Sequence, residues 1–143
     1  MKYVNCRMNK PTALYNGTIY TGYQVLTGKA LLMRDGKVEN IVDDTHIPQE
    51  YAGHDLHGAS LCPGLIDLQI YGTGTDLYSA DVTEACIARI TANLLKQGCT
   101  SYYLTLATNT IALFKEAIAV FKGADRRVAM GIHLEGPFLN AQK

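Results

Sequence analysis

No two cysteines of this 143-residue sequence stand at Cys-x-x-Cys spacing. The four present, Cys6, Cys62, Cys86 and Cys99, are widely and irregularly placed. A zinc-finger reading therefore has no ligand spacing to rest on, and a disulfide framework would want a small secreted chain. The cysteines read as reduced thiols in packing roles. An excess of either charge is missing too: 13 Lys+Arg face 13 Asp+Glu, which leaves no basic footprint for nucleic acid. With hydrophobic residues at 48%, the composition is not that of a disordered chain. No apolar run approaches a membrane span, and Met1-Lys2-Tyr3-Val4-Asn5 lacks the apolar core of a signal peptide. These absences predict a cytoplasmic protein with neither nucleic acid nor membrane as partner. G-x-G-x-x-G is absent as well, because Leu77 stands where the third glycine after Gly72 and Gly74 would be. Ser79 and Ser101 have no partner arrangement that would make them nucleophiles.

What is present divides into two grammars. Residues 1–11 form a polar leader without period. From Ala13 the pattern is one of short strands between glycine turns, with Leu14, Asn16, Thr18 and Tyr20 alternating against Tyr15 and Ile19. Lys29 to Arg34 is an apolar run, Asp35-Gly36 marks a tight hairpin turn, and Lys37 to Val42 returns. Asp43 to Gly53 reads as loop, and His54 to Gly58 as a weak strand. The first sixty residues are thus mostly antiparallel β and carry no catalytic constellation.

At about Leu61 the grammar changes. Leu61 to Gly72 reads as a branched apolar strand whose polar groups, Asp67, Gln69 and Tyr71, fall at every second place. Three polar groups on one face of such a strand indicate the wall of a polar cavity. Gly72 to Thr75 reads as a flexible connection. Asp81 to Gln97 is the strongest helix, with Asp81 as cap, Glu84 three residues on, a stripe of Ile87, Ile90, Leu94 and Leu95, and Gly98 past the end. Cys99 to Ala107 is a strand. Thr108 or Asn109 caps a second helix to Lys122, striped by Ile111, Phe114, Ile118 and Phe121 and closed by Gly123. Val128 to Glu135 is the third strand, broken at once by Gly136-Pro137. Strand, helix, strand, helix, strand predicts a parallel sheet with right-handed crossovers. An open doubly wound sheet and a (β/α)8 barrel share this pattern, and three units are too few to close a barrel.

His133 and Glu135 share one face of the third strand, and Glu135 falls at the carboxyl end, where parallel α/β folds place their chemistry. Glu135 reads equally as metal ligand or general base and as a solvent-facing strand-end carboxylate. His133 reads as a pocket residue or as a hydrogen-bonded core histidine. Asp67, inside an apolar strand, needs donors and is at least as well explained by a structural role as by catalysis. Gln69 and Tyr71 offer an amide and a phenol to a pocket and are poor ligands for a divalent metal. His46, His54 and His57 read as solvated, and Arg126-Arg127 as a solvated connector.

Pro63-Gly64-Leu65-Ile66-Asp67-Leu68-Gln69-Ile70-Tyr71-Gly72, then Gly98-Cys99-Thr100 with Leu104-Thr105-Leu106, then His133-Leu134-Glu135-Gly136-Pro137-Phe138-Leu139-Asn140, together resemble the N-acetylglucosamine-6-phosphate deacetylases of the amidohydrolase superfamily. His-Leu-Glu-Gly-Pro is specific to that family, whereas Pro-Gly-x-Ile-Asp alone indicates only the superfamily. The resemblance spans essentially the whole chain.

It implies an α/β fold: residues 1–60 as the amino-terminal part of a small β-sandwich domain, and residues 61–143 as the first three strands and two helices of a (β/α)8 TIM-type barrel. The chain is then expected to be an amino-terminal fragment. By the resemblance Glu135 is the ligand of one divalent metal ion, zinc being the expected one. Gln69, Tyr71, His133 and Asp67 line the pocket. Two histidine ligands and a general acid/base aspartate are expected beyond Lys143, so no catalytic residue falls within these residues. Many superfamily members carry His-x-His where Gln69 and Tyr71 stand, so a binuclear site is not expected. The implied reaction removes the acetyl group from N-acetylglucosamine 6-phosphate, giving glucosamine 6-phosphate and acetate. The implied partner is a small amino-sugar phosphate, the full-length protein being a homo-oligomer. The alternatives are another amidohydrolase acting on a cyclic amide or nucleobase, and a non-catalytic remnant.

Overall fold

The computed structural model describes residues 10–138, 140 and 142. The first nine residues of the leader, with Cys6, and Leu139 of the third-strand motif lie outside the described residues. The chain divides into two compact units, Met1–Pro63 and Gly64–Lys143.

The first unit is all β. Its strands are β1 (Thr12–Tyr15), β2 (Thr18–Tyr20), β3 (Val25–Leu26), β4 (Lys29–Arg34), β5 (Lys37–Asp43), β6 (Ala52–Asp55) and β7 (Ser60–Leu61). They form a four-stranded sheet in the order β5-β4-β1-β6 and a three-stranded sheet in the order β3-β2-β7. The alternation expected from Leu14 to Tyr20 is not one strand. Asn16 adopts φ 57, a left-handed conformation that asparagine tolerates, and the chain there leaves one sheet for the other. The Asp35-Gly36 hairpin forms as expected: both residues have positive φ, 52 and 74, which matches the twist of the strands it joins. It brings Arg34 opposite Lys37. A single 3-10 turn, Asp44–His46, interrupts the expected loop. The small core of this unit is Ala13, Leu32 and Tyr51, flanked by Val42 and Ile47.

The second unit carries β8 (Leu65–Ile70), β9 (Gly72–Thr73), β10 (Asp76–Leu77), α1 (Glu84–Lys96), β11 (Cys99–Leu106), α2 (Ile111–Gly123) and β12 (Ala129–Leu134). β8, β11 and β12 pair in parallel, with β11 in the middle. The expected strand from Leu61 to Gly72 is shorter than its apolar run, because Pro63 and Gly64 separate β7 from β8. The segment after it is not a free connection, since β9 and β10 pair as a small antiparallel hairpin.

Both helices begin two or so residues later than the strongest capping pattern in the sequence. α1 is capped by Thr83, whose side chain accepts from the Cys86 N–H at 3.1 Å. Asp81, the expected cap, instead accepts from Thr83 Oγ1 and from Arg89 Nη2, and the latter guanidinium also reaches Asp76 at 2.8 Å. Arg89 thus competes successfully for the carboxylate, and a hydroxyl is left to cap the helix. α2 is capped by Thr110, which accepts from Leu113 N at 3.2 Å. Of the expected stripes, Ile87, Ile90 and Leu94 on α1 and Phe114 and Phe121 on α2 are buried, joined by Cys86 and Ala117, while Leu95 and Ile118 are partly buried and Ile111 stays half exposed.

These faces close over Tyr102, Leu104 and Leu106 of β11, all fully buried. Burial of one such side chain is worth about 1.5–3 kcal/mol, whereas exposed ion pairs such as Arg127 with Asp125 contribute little. The apolar sandwich of helices on β11 therefore dominates the stability of this unit. Two phenols are accommodated inside it by local bonds: Tyr78 Oη donates to Ala117 O at 2.8 Å, and Tyr102 Oη meets Thr91 Oγ1 at 2.8 Å. Burial pushes the Tyr78 phenol up to about 12.

β8 departs from expectation. It lies at an edge, and Leu65, Ile66 and Leu68 are 63%, 63% and 67% exposed, so its apolar run is not covered by the described residues. Among the described residues no helix is long and apolar enough to cross a membrane.

The position of the α1 cap can be checked directly. Thr83→Ala should lower stability by about 1 kcal/mol in urea unfolding, with an unchanged slope of free energy against denaturant.

Candidate functional site

Parallel pairing brings the carboxyl ends of β8, β11 and β12 to one edge of the sheet. Beyond the end of β8 comes Tyr71, and beyond the end of β12 comes Glu135. The two ends are separated by β11, that is by two strand spacings or roughly 9.6 Å, a gap that only a long side chain can bridge. Tyr71 does so: its hydroxyl donates to Glu135 Oε2 at 2.5 Å. Gln69, two residues before it and on the same face, donates from Nε2 to Tyr71 Oη at 2.9 Å. Amide, phenol and carboxylate thus form one chain of hydrogen bonds.

The backbone under the carboxylate is tied to β11. Glu135 N–H donates to Leu106 O at 3.0 Å, and Thr108 Oγ1 donates to Glu135 O at 3.0 Å. Gly136 then takes φ 87, and a Cβ there would stand 2.8 Å from Thr108 Oγ1. Glycine is thus required where the chain turns away against Thr108, and the turn fixes the carboxylate at the strand's end.

The other predicted residues fall into place unequally. Asp67 Oδ1 accepts from the Gln69 backbone N–H at 2.9 Å, a local bond that supports β8 and fits the structural reading of this carboxylate. His133 is exposed, not a buried core imidazole, and pairs in register with Thr105 of β11. The Thr105 hydroxyl is fully buried and has no hydrogen-bond partner among the described residues. Of the five predicted positions, Gln69, Tyr71 and Glu135 are joined through side chains, Asp67 touches the set through Gln69's backbone, and His133 lies outside that hydrogen-bonded chain. Thr108, expected as a helix cap, instead tethers Glu135, and its place two residues past the end of β11 is the only further signal the sequence holds of that role.

Glu135 is the dominant influence on Tyr71. Donation to the carboxylate raises the phenol's pKa above its ordinary value, partly opposed by Gln69's donation to the phenol oxygen and reinforced by slight burial and by the negative charge nearby. The phenol therefore remains a donor. Glu135 Oε1 makes no hydrogen bond among the described residues. Among the described residues no three His, Cys, Asp or Glu side chains form a group able to hold a metal ion.

Residues 12–61 match the family model described as the NagA composite domain. Over 134 residues the chain is 30% identical to the N-acetylglucosamine-6-phosphate deacetylase of Haemophilus influenzae, covering 92% of this chain and 35% of that protein. The crystal structure of N-acetylglucosamine-6-phosphate deacetylase from Pasteurella multocida superposes with a TM-score of 0.86 at 32% identity, covering 92% of this chain and 36% of that one. In sequence and in fold the chain is thus similar to the N-acetylglucosamine-6-phosphate deacetylases. A Mycobacterium smegmatis deacetylase of this family, solved as a variant in complex with N-acetyl-D-glucosamine-6-phosphate, superposes with a TM-score of 0.75 at 25% identity and covers 92% of this chain and 34% of that one. The chain thus spans about a third of the length of the curated deacetylases it matches.

If Glu135 holds the Tyr71 phenol up, removing its charge must let the phenol ionise more readily. Glu135→Gln should shift one tyrosine's ionisation to lower pH, read as a difference in the 295 nm spectrophotometric titration against the unsubstituted chain.

Proposed function

We propose that these residues supply the first metal ligand and part of the active-site wall of an N-acetylglucosamine-6-phosphate deacetylase. In this reading the complete protein hydrolyses the acetamide of N-acetylglucosamine 6-phosphate to glucosamine 6-phosphate and acetate. The observation that carries the reading is the placement of Glu135, anchored at the carboxyl end of a parallel strand and joined to Tyr71, in a chain similar to these deacetylases. The three parallel strands and two helices are then the first part of a (β/α)8 barrel, and residues 1–60 part of a small β-sandwich domain. Two histidines and a general acid/base aspartate come from beyond Lys143, and the complete protein is a cytoplasmic homo-oligomer.

The donor set fits one coordination position of a divalent ion, with zinc the favoured choice: a hard carboxylate with one oxygen free and the other held. When bound, such an ion supplies Lewis acidity, polarising an amide carbonyl and acidifying water. The chain's own residues perform the supporting work. Glu135 would hold the ion through a carboxylate whose backbone is tied to Leu106 at the end of β11 and to Thr108 just beyond it, while Tyr71 and Gln69 line the wall beside it. Gln69 and Tyr71 stand where an imidazole pair would serve a second ion, so the reading is of a single-metal site. Asp67 braces the β8 backbone beneath this wall through its bond to Gln69 N–H.

Two measurements test this. In the full-length gene product assayed with added zinc, Glu135→Ala should reduce kcat/KM by more than the roughly 10–100-fold typical of residues behind a metal ligand; normal deacetylation would sink the assignment. Residues 1–143 alone should show no metal-dependent turnover of N-acetylglucosamine 6-phosphate, because two ligands and the general acid/base are not among them.

A further inference from the structure

The hydrogen bond from Tyr71 to Glu135 connects residues 64 apart in sequence across an intervening strand. A tyrosine at this position could have pointed to solvent as a plain polar lining. Instead its hydroxyl sits between a donor, Gln69 Nε2, and an acceptor, Glu135 Oε2. A phenol has one proton and can accept as well as donate, so accepting from Gln69 leaves its only proton for Glu135. The direction of the chain is thereby fixed, and with it the carboxylate oxygen that is occupied. Backbone ties set where Glu135 starts, through Leu106 O and Thr108 Oγ1, but they leave the side-chain torsions free. Among the described residues the Tyr71 hydroxyl makes the one side-chain hydrogen bond to the Glu135 carboxylate, and so selects among them.

We infer that Tyr71 is a positioning residue for Glu135: its hydroxyl, oriented by Gln69, holds Oε2 and leaves Oε1 free to bind a divalent cation. The inference rests on the proposed ligand role of Glu135. The bond is charge-assisted and short, which is the stronger class of hydrogen bond, and it prepays the ordering of a side chain with several rotatable bonds. A carboxylate already held in one orientation binds a cation without that loss, so the effect appears in metal affinity and not in the fold. In this role Tyr71 acts through Glu135 and is not itself a ligand.

The test uses the full-length protein, stripped of metal and titrated with zinc against a chromophoric chelator. Tyr71→Phe, which removes only the hydroxyl, should weaken zinc binding roughly 10–100-fold, while the thermal midpoint of the metal-free protein stays that of the parent. Excess zinc should restore turnover, which a general structural defect would not allow. Gln69→Leu, which keeps the phenol and removes its donor, should weaken binding in the same direction by less, and it serves as the second probe if Tyr71→Phe folds poorly. Unchanged zinc affinity in both variants, alongside lost affinity in Glu135→Ala, overturns the positioning role and leaves the ligand reading standing. Unchanged affinity in Glu135→Ala overturns the ligand reading itself, and the positioning role with it.

Discussion

Parallel pairing imposes the constraint on which the candidate site depends. Strands that run the same way must deliver their carboxyl ends to one edge, so side chains 64 residues apart meet without any loop having to bring them together. β8 and β12 do not pair with each other; each is held in register by β11, whose outer face is buried under α1 and α2. The apolar packing of Tyr102, Leu104 and Leu106 therefore sets the distance across which the Tyr71 phenol must reach. Stability and geometry are coupled here through one strand, and the polar contacts at its end are added to a frame that hydrophobic burial has already made rigid.

The site itself is built in layers. Backbone bonds from Glu135 to Leu106 and from Thr108 to Glu135 fix the strand end, a glycine with positive φ turns the chain away, and only then does the Gln69–Tyr71–Glu135 chain orient the carboxylate. Each layer needs the one beneath it. A phenol can select a rotamer of Glu135 only because the glutamate's Cα is already immobile. The outcome is a carboxylate with one oxygen held by a phenol and the other without a hydrogen bond among the described residues.

Local chemistry made much of the fold legible. Asp35-Gly36 between two apolar runs specifies its hairpin, and the 3.6-residue stripes of Ile87, Ile90 and Leu94 and of Phe114 and Phe121 specify two helices, because those signals act over a few residues. Signals that compete were misjudged. Asp81 is a good cap in isolation, but Arg89 engages it and Thr83 takes over; Leu14 to Tyr20 alternates like one strand, but Asn16 bends it between two sheets. The exposure of Leu65, Ile66 and Leu68 could not be read at all, since an apolar strand looks the same at a sheet's edge as in its centre. The same holds for the candidate site: Glu135, Gln69 and Tyr71 were each identifiable by type and spacing, while the bond joining them depends on strand order and register, which no single stretch encodes.

β11 pairs irregularly with both of its neighbours, its register slipping between Tyr102 and Tyr103 toward β12 and, toward β8, between Cys99 and Ser101 and again between Tyr102 and Leu104. An extra residue on one side of a ladder shortens one path along the strand relative to the other, so the pleat bends and its right-handed twist grows. Near Tyr102 the extra residues belong to the outer strands, Met130 in β12 and one residue between Asp67 and Ile70 in β8. The two side chains that meet at the sheet's end thus both come from strands that carry one residue more than the stretch of β11 between them.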